Sequence, residues 1–501
     1  MADSPIQRVL GLLLTIFSFS MLPPIIASLV YGDGTVLVFI ESFLIVAAIG
    51  LMLWFPARHS KRELRLRDGF LIVASFWVVL GVFGSVPFLL ADAPDIGFSD
   101  AVFESISGLT TTGATVLSGL SELPEAILYY RQQLQWFGGL GIIVLAVAVL
   151  PMLGVGGMQL YRAELPGPVK DAKLTPKITK TAKALLSVYV GITVVCCLAY
   201  WAAGMSFFEA ICHSFSTVAI GGFSIYDDSI AAFNNPLIEV IAIIFMLVAG
   251  VNFALHFLAW RDRSVRHYLS DPEFGAYVRI LVVLCVVVVT YRVWQEHLTT
   301  VDETEAIVEI VAETEAKTLP RTILKGLFQT VSIATTTGFT TDDFAMWPGA
   351  IPVILIFSSF IGGCAGSTAG GMKVVRWTLM YRQGIREFQR LVHPSAEIPV
   401  KLGTKAVNPR VVDAVWGFCA VYVAVFVVLL LIMMMTGMDQ STAFSAVAAT
   451  LNNLGPGLGG VADGFGDVSV IAKWAAVCSM LLGRLEIFTL LVLITPMFWR
   501  R

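Results

Sequence analysis

Charge is scarce in this chain. Only 14% of its 501 residues are Asp, Glu, Lys or Arg, and 57% are apolar, whereas soluble domains average about 25% charged residues. That composition excludes a water-soluble globular fold, and a mean hydropathy of +0.81 points to a bilayer as the solvent. The six histidines form no H-E-x-x-H pattern, and the cysteines (Cys196, Cys197, Cys212, Cys285, Cys364, Cys419, Cys478) form no C-x-x-C pair. These absences argue against zinc, dithiol and intramembrane-protease chemistry and leave the cysteines as small packing residues. A nucleotide site is missing too. Met372 separates Gly371 from Lys373 and breaks the phosphate-loop pattern, and Gly455-x-Gly457-x-Gly459-Gly460 lacks dinucleotide spacing. The net charge of −3 is divided among loops, with no pooled basic surface, so no nucleic-acid partner is expected. No A-x-A cleavage site follows the apolar start, Val9 to Val30, which reads as a retained helix.

What the chain has is apolar runs of crossing length, roughly 20 residues each. They fall near 8–30, 35–55, 70–91, 129–151, 184–204, 236–260, 275–294, 350–380, 410–436 and 470–498. Ten crossings put both termini on one side. Lys and Arg select that side, clustering after every second run: Arg58 to Arg67, Arg162 to Lys183, Arg261 to Arg266, Arg382 to Arg410, and Arg500–Arg501. The alternate loops are acidic, with Asp92, Asp95, Glu122, Glu125, Asp227, Asp228 and a dense stretch from Asp302 to Glu315. By the positive-inside rule both termini are cytoplasmic. The acidic loops then face outward, where they either raise the local cation concentration or simply solvate the surface. Segment 302–315 is amphipathic in places and has the makings of a short external helix.

Four of the outer loops repeat one pattern, a half-length apolar segment ending in a glycine turn. The segments are Phe98 to Thr112, Phe207 to Ala219, Thr322 to Ala334 and Thr442 to Leu451. The turns are Thr110-Thr111-Thr112-Gly113-Ala114, Ile220-Gly221-Gly222-Phe223-Ser224, Thr335-Thr336-Thr337-Gly338-Phe339 and Asn452-Asn453-Leu454-Gly455-Pro456-Gly457. Anchored on Gly113, Gly222, Gly338 and Gly455, the intervals are 109, 116 and 117 residues. The unit is a span, a half-helix, a glycine turn and a span. Tight packing explains glycines such as Gly138-Gly139-x-Gly141 or Gly154-x-Gly156-Gly157, but not four evenly spaced external turns. Irregular backbone at membrane depth must be buried in protein or line a wet cavity. A half-helix entering from outside brings its partially negative end to mid-membrane, and glycine lets successive carbonyls face one axis. Four such turns form a ring of oxygens able to replace a cation's hydration shell.

These four turns, in this order, resemble those of the bacterial TrkH/KtrB potassium-transport family, and the extra N-terminal helix pair is most similar to the TrkH branch. The resemblance covers essentially the whole chain. It implies an all-α polytopic membrane protein with four pseudo-symmetric pore-loop repeats around a central pore. The expected units are a helix pair (1–68) and repeats at 69–160, 161–270, 271–395 and 396–501. It further implies potassium held by backbone carbonyls of Thr111, Thr112, Ile220, Gly221, Thr336, Thr337, Asn453 and Leu454, with Gly113, Gly222, Gly338 and Gly455 just after. Glycine at all four anchors favours potassium, since the related sodium-selective plant transporters carry serine at the first. The fourth turn lacks threonine and carries Pro456.

Span eight is interrupted by Gly362-Gly363-Cys364-Ala365-Gly366-Ser367-Thr368-Ala369-Gly370-Gly371, a run too rich in small residues to continue a helix. It resembles the family's intramembrane gating loop. Two readings fit Arg484, in the middle of the last span. One is a buried pair with Glu486 or another span's acid. The other, as the family implies, is a positive charge beneath the filter that opposes cations until the gate moves. Lys373 and Arg376 either anchor the loop or mark the cytoplasmic boundary. Glu104 and Glu209 either add negative field or, preferably, hydrogen-bond the turns, and His213, His256 and Asn252 read as packing and hydrogen-bond residues rather than ligands. The expected function is potassium uptake through a gated pore, with K⁺ as the transported ion and neither an organic cofactor nor an enzymatic activity. The alternative is a secondary transporter coupling K⁺ to H⁺ or Na⁺, which calls for inverted repeats and intramembrane carboxylates. The resemblance also implies a homodimer and a TrkA-like cytosolic nucleotide-binding ring protein, for which the basic loops 162–183 and 376–410 suit docking.

Overall fold

The computed structural model describes residues 5–58, 66–148, 178–302 and 308–499. The glycines at 154–157, most of the basic loop 162–183 and the start of the acidic segment lie outside the described residues. The chain is almost wholly helical. The described residues otherwise hold one two-stranded hairpin, β1 (Lys401–Leu402) with β2 (Lys405–Ala406).

The N-terminal pair is a first span made of α1 (Pro5–Ser18) and α2 (Pro23–Tyr31), joined by a 3₁₀ turn at Phe19–Met21, and a second, α3 (Val36–Ala57). Pro23 and Pro24 explain the break, because neither can donate to the preceding turn. Gly11 and Gly50 bring α1 and α3 into backbone contact; a Cβ on Gly11 would lie 2.5 Å from the Trp54 nitrogen.

Four repeats follow. Their first spans are regular helices: α4 (Leu66–Phe83) continuing into α5 (Val86–Leu90), α8 (Ile178–Ala202), α13 (Pro272–Asp302) and α17 (Pro409–Met435). Between each first and second span a half-helix turns back: α6 (Phe98–Leu109), α9 (Phe207–Ala219), α14 (Val308–Ala334) and α18 (Gln440–Leu451). The second matches its expected bounds. The third is longer than expected, since one helix runs from Val308 through Pro320 to Ala334 and absorbs much of the segment read as a separate external helix.

Two of the second spans, in the second and fourth repeats, depart from the expected unbroken runs. In the first repeat α7 (Glu125–Ala148) is continuous but carries Arg131, Gln132, Gln133 and Gln135 near its start. In the second, α10 (Pro236–Ala249) and α11 (Phe253–Asp262) meet at 93°, which corrects the continuous span 236–260. Asn252 caps α11 by accepting from Ala254 N at 2.8 Å, a local alternative to continuing the helix. A short helix α12 (Arg266–Ser270) leads on to α13. In the third, α15 (Ile351–Ser359) and α16 (Val374–Val392) flank the glycine run. In the fourth, α19 (Val470–Arg484) and α20 (Phe488–Ile494) are separated by Glu486 and Ile487, both at φ near +55°, which corrects the continuous span 470–498. A last short helix, α21 (Pro496–Trp499), follows. Six described helices are long and apolar enough to cross a membrane unaided, seven if the bent pair counts as one span. At the bend between α10 and α11 and along the glycine run, other protein groups satisfy the freed backbone.

Candidate functional site

The half-helices end in a common way. Thr112, Gly221, Thr337 and Leu454 each donate their backbone N–H to the carbonyl five residues earlier (Ser107, Ser216, Ser332 and Ala449) at 2.7–2.9 Å. Thr111, Ile220, Thr336 and Asn453 donate to the carbonyl three residues earlier at 2.9–3.3 Å. This is the Schellman termination, whose left-handed position is ordinarily glycine. Here that position is Thr111 (φ 51°), Ile220 (54°), Thr336 (67°) and Asn453 (54°). Holding a β-branched residue left-handed costs on the order of 1–3 kcal/mol and persists only where surrounding contacts over-determine it. Two residues on, the anchors Gly113, Gly222, Gly338 and Gly455 again have positive φ, at 82°, 78°, 85° and 100°. The residue between stays at negative φ, so the hand alternates along each turn.

The four turns close on one another. A Cβ on Gly113 would lie 2.1 Å from the Gly221 oxygen, one on Gly222 2.1 Å from the Thr337 oxygen, and one on Gly338 2.1 Å from the Leu454 oxygen. A Cβ on Gly455 would come within 2.8 Å of the Thr112 oxygen, completing the circle more loosely. Each anchor thus abuts the carbonyl preceding the next anchor, in the order one, two, three, four, one. Twelve expected filter residues are brought together, and all twelve are buried or nearly so. A cavity of about 590 Å³ opens over them, lined by all four anchor glycines together with Asp227, Asp228, Asp342, Asp343 and Asp463.

A layer of side chains holds this ring from behind. Gln135 Nε2 donates to the Gly221 oxygen at 2.6 Å while its Oε1 accepts from Phe223 N at 3.1 Å. Arg131, fully buried, pairs with Glu104 at 2.7 Å, donates to the Ser224 oxygen at 3.1 Å and stacks on Phe223 with its guanidinium 4.3 Å from the ring centre. Glu104 also accepts from Val116 N at 3.1 Å, so its preferred reading as a hydrogen-bond partner of the turn agrees with the geometry. Glu209 closes a capping box with Ser206 at the start of α9, and His213 bridges the Glu209 carbonyl and Ser224 Oγ at 2.9 and 3.1 Å.

The glycine-rich loop lies against the inner ends of three half-helices. Gly370 N donates to Thr336 Oγ1 at 2.7 Å, Gly371 N to the Asn452 oxygen at 3.0 Å, and Thr368 Oγ1 to the Val218 oxygen at 3.0 Å. A Cβ on Gly362 would lie 2.1 Å from the Gly370 oxygen, and one on Gly370 only 1.9 Å from the Asn452 oxygen. Gly363 and Gly366 receive Val374 N and Phe253 N on their carbonyls, and Ser367 Oγ donates to the Cys364 oxygen at 2.6 Å. The loop therefore also satisfies the bend between α10 and α11, where Cys364 N donates to the Gly250 oxygen at 2.9 Å. Lys373 curls back onto the Ala369 oxygen, which makes it a loop anchor.

Arg484 Nη1 donates to the Thr368 oxygen at 3.1 Å, and its Nε and Nη2 have no hydrogen-bond partner among the described residues. Glu486, a possible partner in one reading, pairs instead with Arg376 at 2.7 Å. Arg376 also stacks on Phe418 at 4.2 Å, so it ties the loop's exit to the break in the last span.

A family model described as a cation transport protein, TrkH, matches residues 36–501. The chain belongs to the TrkH family of cation transport proteins. It is 56% identical over 497 residues to the Trk system potassium uptake protein TrkH of Vibrio parahaemolyticus, with 99% of each chain covered. It is 52% identical to the protein of the same name from Escherichia coli K12, again over 99% of each. The crystal structure of the potassium transporter TrkH from Vibrio parahaemolyticus superposes with a TM-score of 0.88 at 53% identity, covering 99% of both chains.

Within this TrkH-family fold, three residues that hold the site went unread in the sequence. Arg131 and Gln135 carried a signal, because a cluster of polar residues within an apolar run is costly unless it has internal partners. Glu273 carried none. It stands in the first turn of α13, where an acid is ordinary, yet it is buried and accepts from Ala365 N at 2.8 Å and Val375 N at 3.2 Å, clasping both sides of the loop.

Proposed function

We propose that this protein is the translocation subunit of a Trk potassium-uptake system, passing K⁺ across the bacterial inner membrane through a gated pore. The observation that carries this reading is the closed circle of four glycine turns. Alternating backbone hand along each turn directs successive carbonyls to a common side, so Thr111, Thr112, Ile220, Gly221, Thr336, Thr337, Asn453 and Leu454 are the candidate oxygens for a dehydrated K⁺. The acidic vestibule concentrates cations outside, and inward flow follows the membrane potential, worth about 2.3 kcal/mol per charge per 100 mV.

The glycine-rich loop is the candidate gate. Its contacts with three half-helix ends support a position in the path below the turns, and the hydrogen bond from Arg484 to the Thr368 oxygen supports a positive charge beside it. The alternating Lys/Arg record supports cytoplasmic termini, and the proposed repeat units are those set out from the sequence. The relatives' names place them in a Trk system, which supports a multi-component assembly. A cytosolic nucleotide-binding ring docking on the basic face of α16, and a homodimer, are the finer expectations. The family's description as cation transport proteins supports transport as the role.

The test is flux into liposomes holding the purified chain, under K⁺ and then Na⁺ gradients, with internal pH followed. K⁺-selective entry that runs down the gradient without proton movement supports the pore. Obligatory H⁺ or Na⁺ co-movement would establish the coupled transporter instead.

A further inference from the structure

A second cavity, of about 1210 Å³, shares no lining residue with the one over the turns and lies among α8, α10, α11, α12, α13 and α14. Its walls include Ile192, Val195, Val248, Val251, Val282 and Val286, so it is apolar along its length. Its size exceeds the roughly 300–1,000 Å³ typical of drug-sized ligand sites. Several lining residues also face outward, with Val195 57%, Val282 55% and Val286 60% exposed, which makes the cavity a groove open to the bilayer.

One end of this groove differs from the rest. There α11 turns through 93° and carries Trp260, which is 69% exposed, with Arg261, Arg263 and Arg266 following. On α8, exposed Lys183 sits one turn beyond the lining residue Ser187, whose Oγ donates to the Lys183 oxygen at 2.9 Å. On α13, exposed Arg279 bends back one turn toward the same end, its Nε donating to the Gly275 oxygen at 2.9 Å, as a snorkelling side chain does. Asp262 offsets part of this charge through Arg261 and His267, at 2.7 and 3.0 Å. Asp271 and Glu273 are buried and point to backbone N–H groups. The polar groups inside the groove are satisfied internally. His256 bonds Tyr268 OH and the Val248 oxygen, and Tyr277 OH donates to the Leu247 oxygen. The interior therefore offers nothing to a polar ligand, while the helix segments that border it carry five basic residues, one of them paired with Asp262, and the lining Trp260.

We infer that this groove is a binding site for an anionic phospholipid, with its acyl chains along the valine walls and its phosphate among Lys183, Arg261, Arg263, Arg266 and Arg279. In the orientation proposed above the lipid belongs to the cytoplasmic leaflet, where basic clusters attract acidic headgroups. Its chains pack on Val251, beside the Gly250 carbonyl that holds Cys364 of the glycine-rich loop.

The experiment is native mass spectrometry of the full chain from mixed micelles containing equal phosphatidylglycerol and phosphatidylcholine. Wild type should retain phosphatidylglycerol in preference. Arg263→Gln with Arg266→Gln should lower that preference about tenfold or more, because each basic residue near an anionic surface contributes about fivefold. Gly191→Phe should displace the lipid by filling the groove, where an added Cβ at Gly191 meets nothing within 4 Å. Retention unchanged in the arginine variant, or equal retention of both lipids by wild type, would overturn the inference. So would Gly191→Phe converting a dimer to a monomer with lipid retention intact, since a second copy of the chain would then be the occupant. Should Gly191→Phe fail to fold, the surface arginine variant still decides. The readout is lipid binding, so it stands or falls separately from potassium conduction.

Discussion

Replacing Gly113 by serine puts the closed circle of turns under direct strain. A side chain there meets two obstacles at once. Its φ of 82° is unfavourable for an L-residue, at about 1–2 kcal/mol. Its Cβ would lie 2.1 Å from the Gly221 oxygen, which must move by roughly an ångström to reach ordinary contact. That oxygen is not free to move, because Gln135 Nε2 holds it at 2.6 Å. Releasing it gives up a further 0.5–1.5 kcal/mol, roughly. The total is about 2–3 kcal/mol, and any share that falls on K⁺ coordination lowers selectivity tenfold per 1.4 kcal/mol. Liposome flux under matched K⁺ and Na⁺ gradients reads this out. Serine at Gly113, Gly222 or Gly338 should depress the K⁺/Na⁺ ratio by one to two orders of magnitude. Gly455→Ser should do less, because its Cβ meets the Thr112 oxygen at 2.8 Å. Gly119→Ala is the control: its φ of 66° is equally strained but nothing lies within 4 Å. A Gly119 effect as large as that at Gly113, or no loss of selectivity at any of the first three anchors, would refute the reasoning.

Arg484→Ala should raise K⁺ flux severalfold, and Arg484→Lys should stay near wild type; equal flux in all three would remove the charge from the gate. Glu104→Gln strands the buried Arg131 guanidinium and should cost about 3–5 kcal/mol, seen as a lower unfolding temperature in detergent. Adding Arg131→Met should recover much of that loss, and no recovery would count against the pair's coupling. Burial pushes the Asp33 carboxyl up, but hydrogen bonds from Ser28, Ala126 N and Thr35 outweigh it and hold the carboxyl below its ordinary range. A depressed folded pKa means that its stabilisation is present above about pH 4 and is lost as pH falls through the lowered value. Wild type and Asp33→Asn should therefore differ in unfolding temperature at neutral pH and converge in acid, whereas a constant gap would exclude that linkage.

The repeat was legible in the chain because glycine turns and half-length apolar runs are local signals. Gly113, Gly222, Gly338 and Gly455 stand at intervals of 109, 116 and 117 residues, and the bounds of the second half-helix, Phe207–Ala219, needed no tertiary information. The broken second spans were legible only where glycine accumulates, at 362–371. The bend at 250–252 and the break at 485–487 sit in runs apolar enough to read as continuous helix. They break because distant partners satisfy the freed backbone and charges: Cys364 N on the Gly250 oxygen, Arg376 on Glu486.

Sequence alone thus determined the membrane setting, the fourfold unit and the glycine anchors, since composition, periodicity and turn chemistry act over a few residues. Only the tertiary structure decided which groups hold those anchors. Gln135 reaches Gly221 across 86 positions, Arg131 reaches Ser224 across 93, and Arg484 reaches Thr368 across 116. Pairings of that separation depend on how helices pack, and no local pattern encodes them. Whether Arg484 pairs with Glu486 was therefore a choice the sequence left open and the packing made.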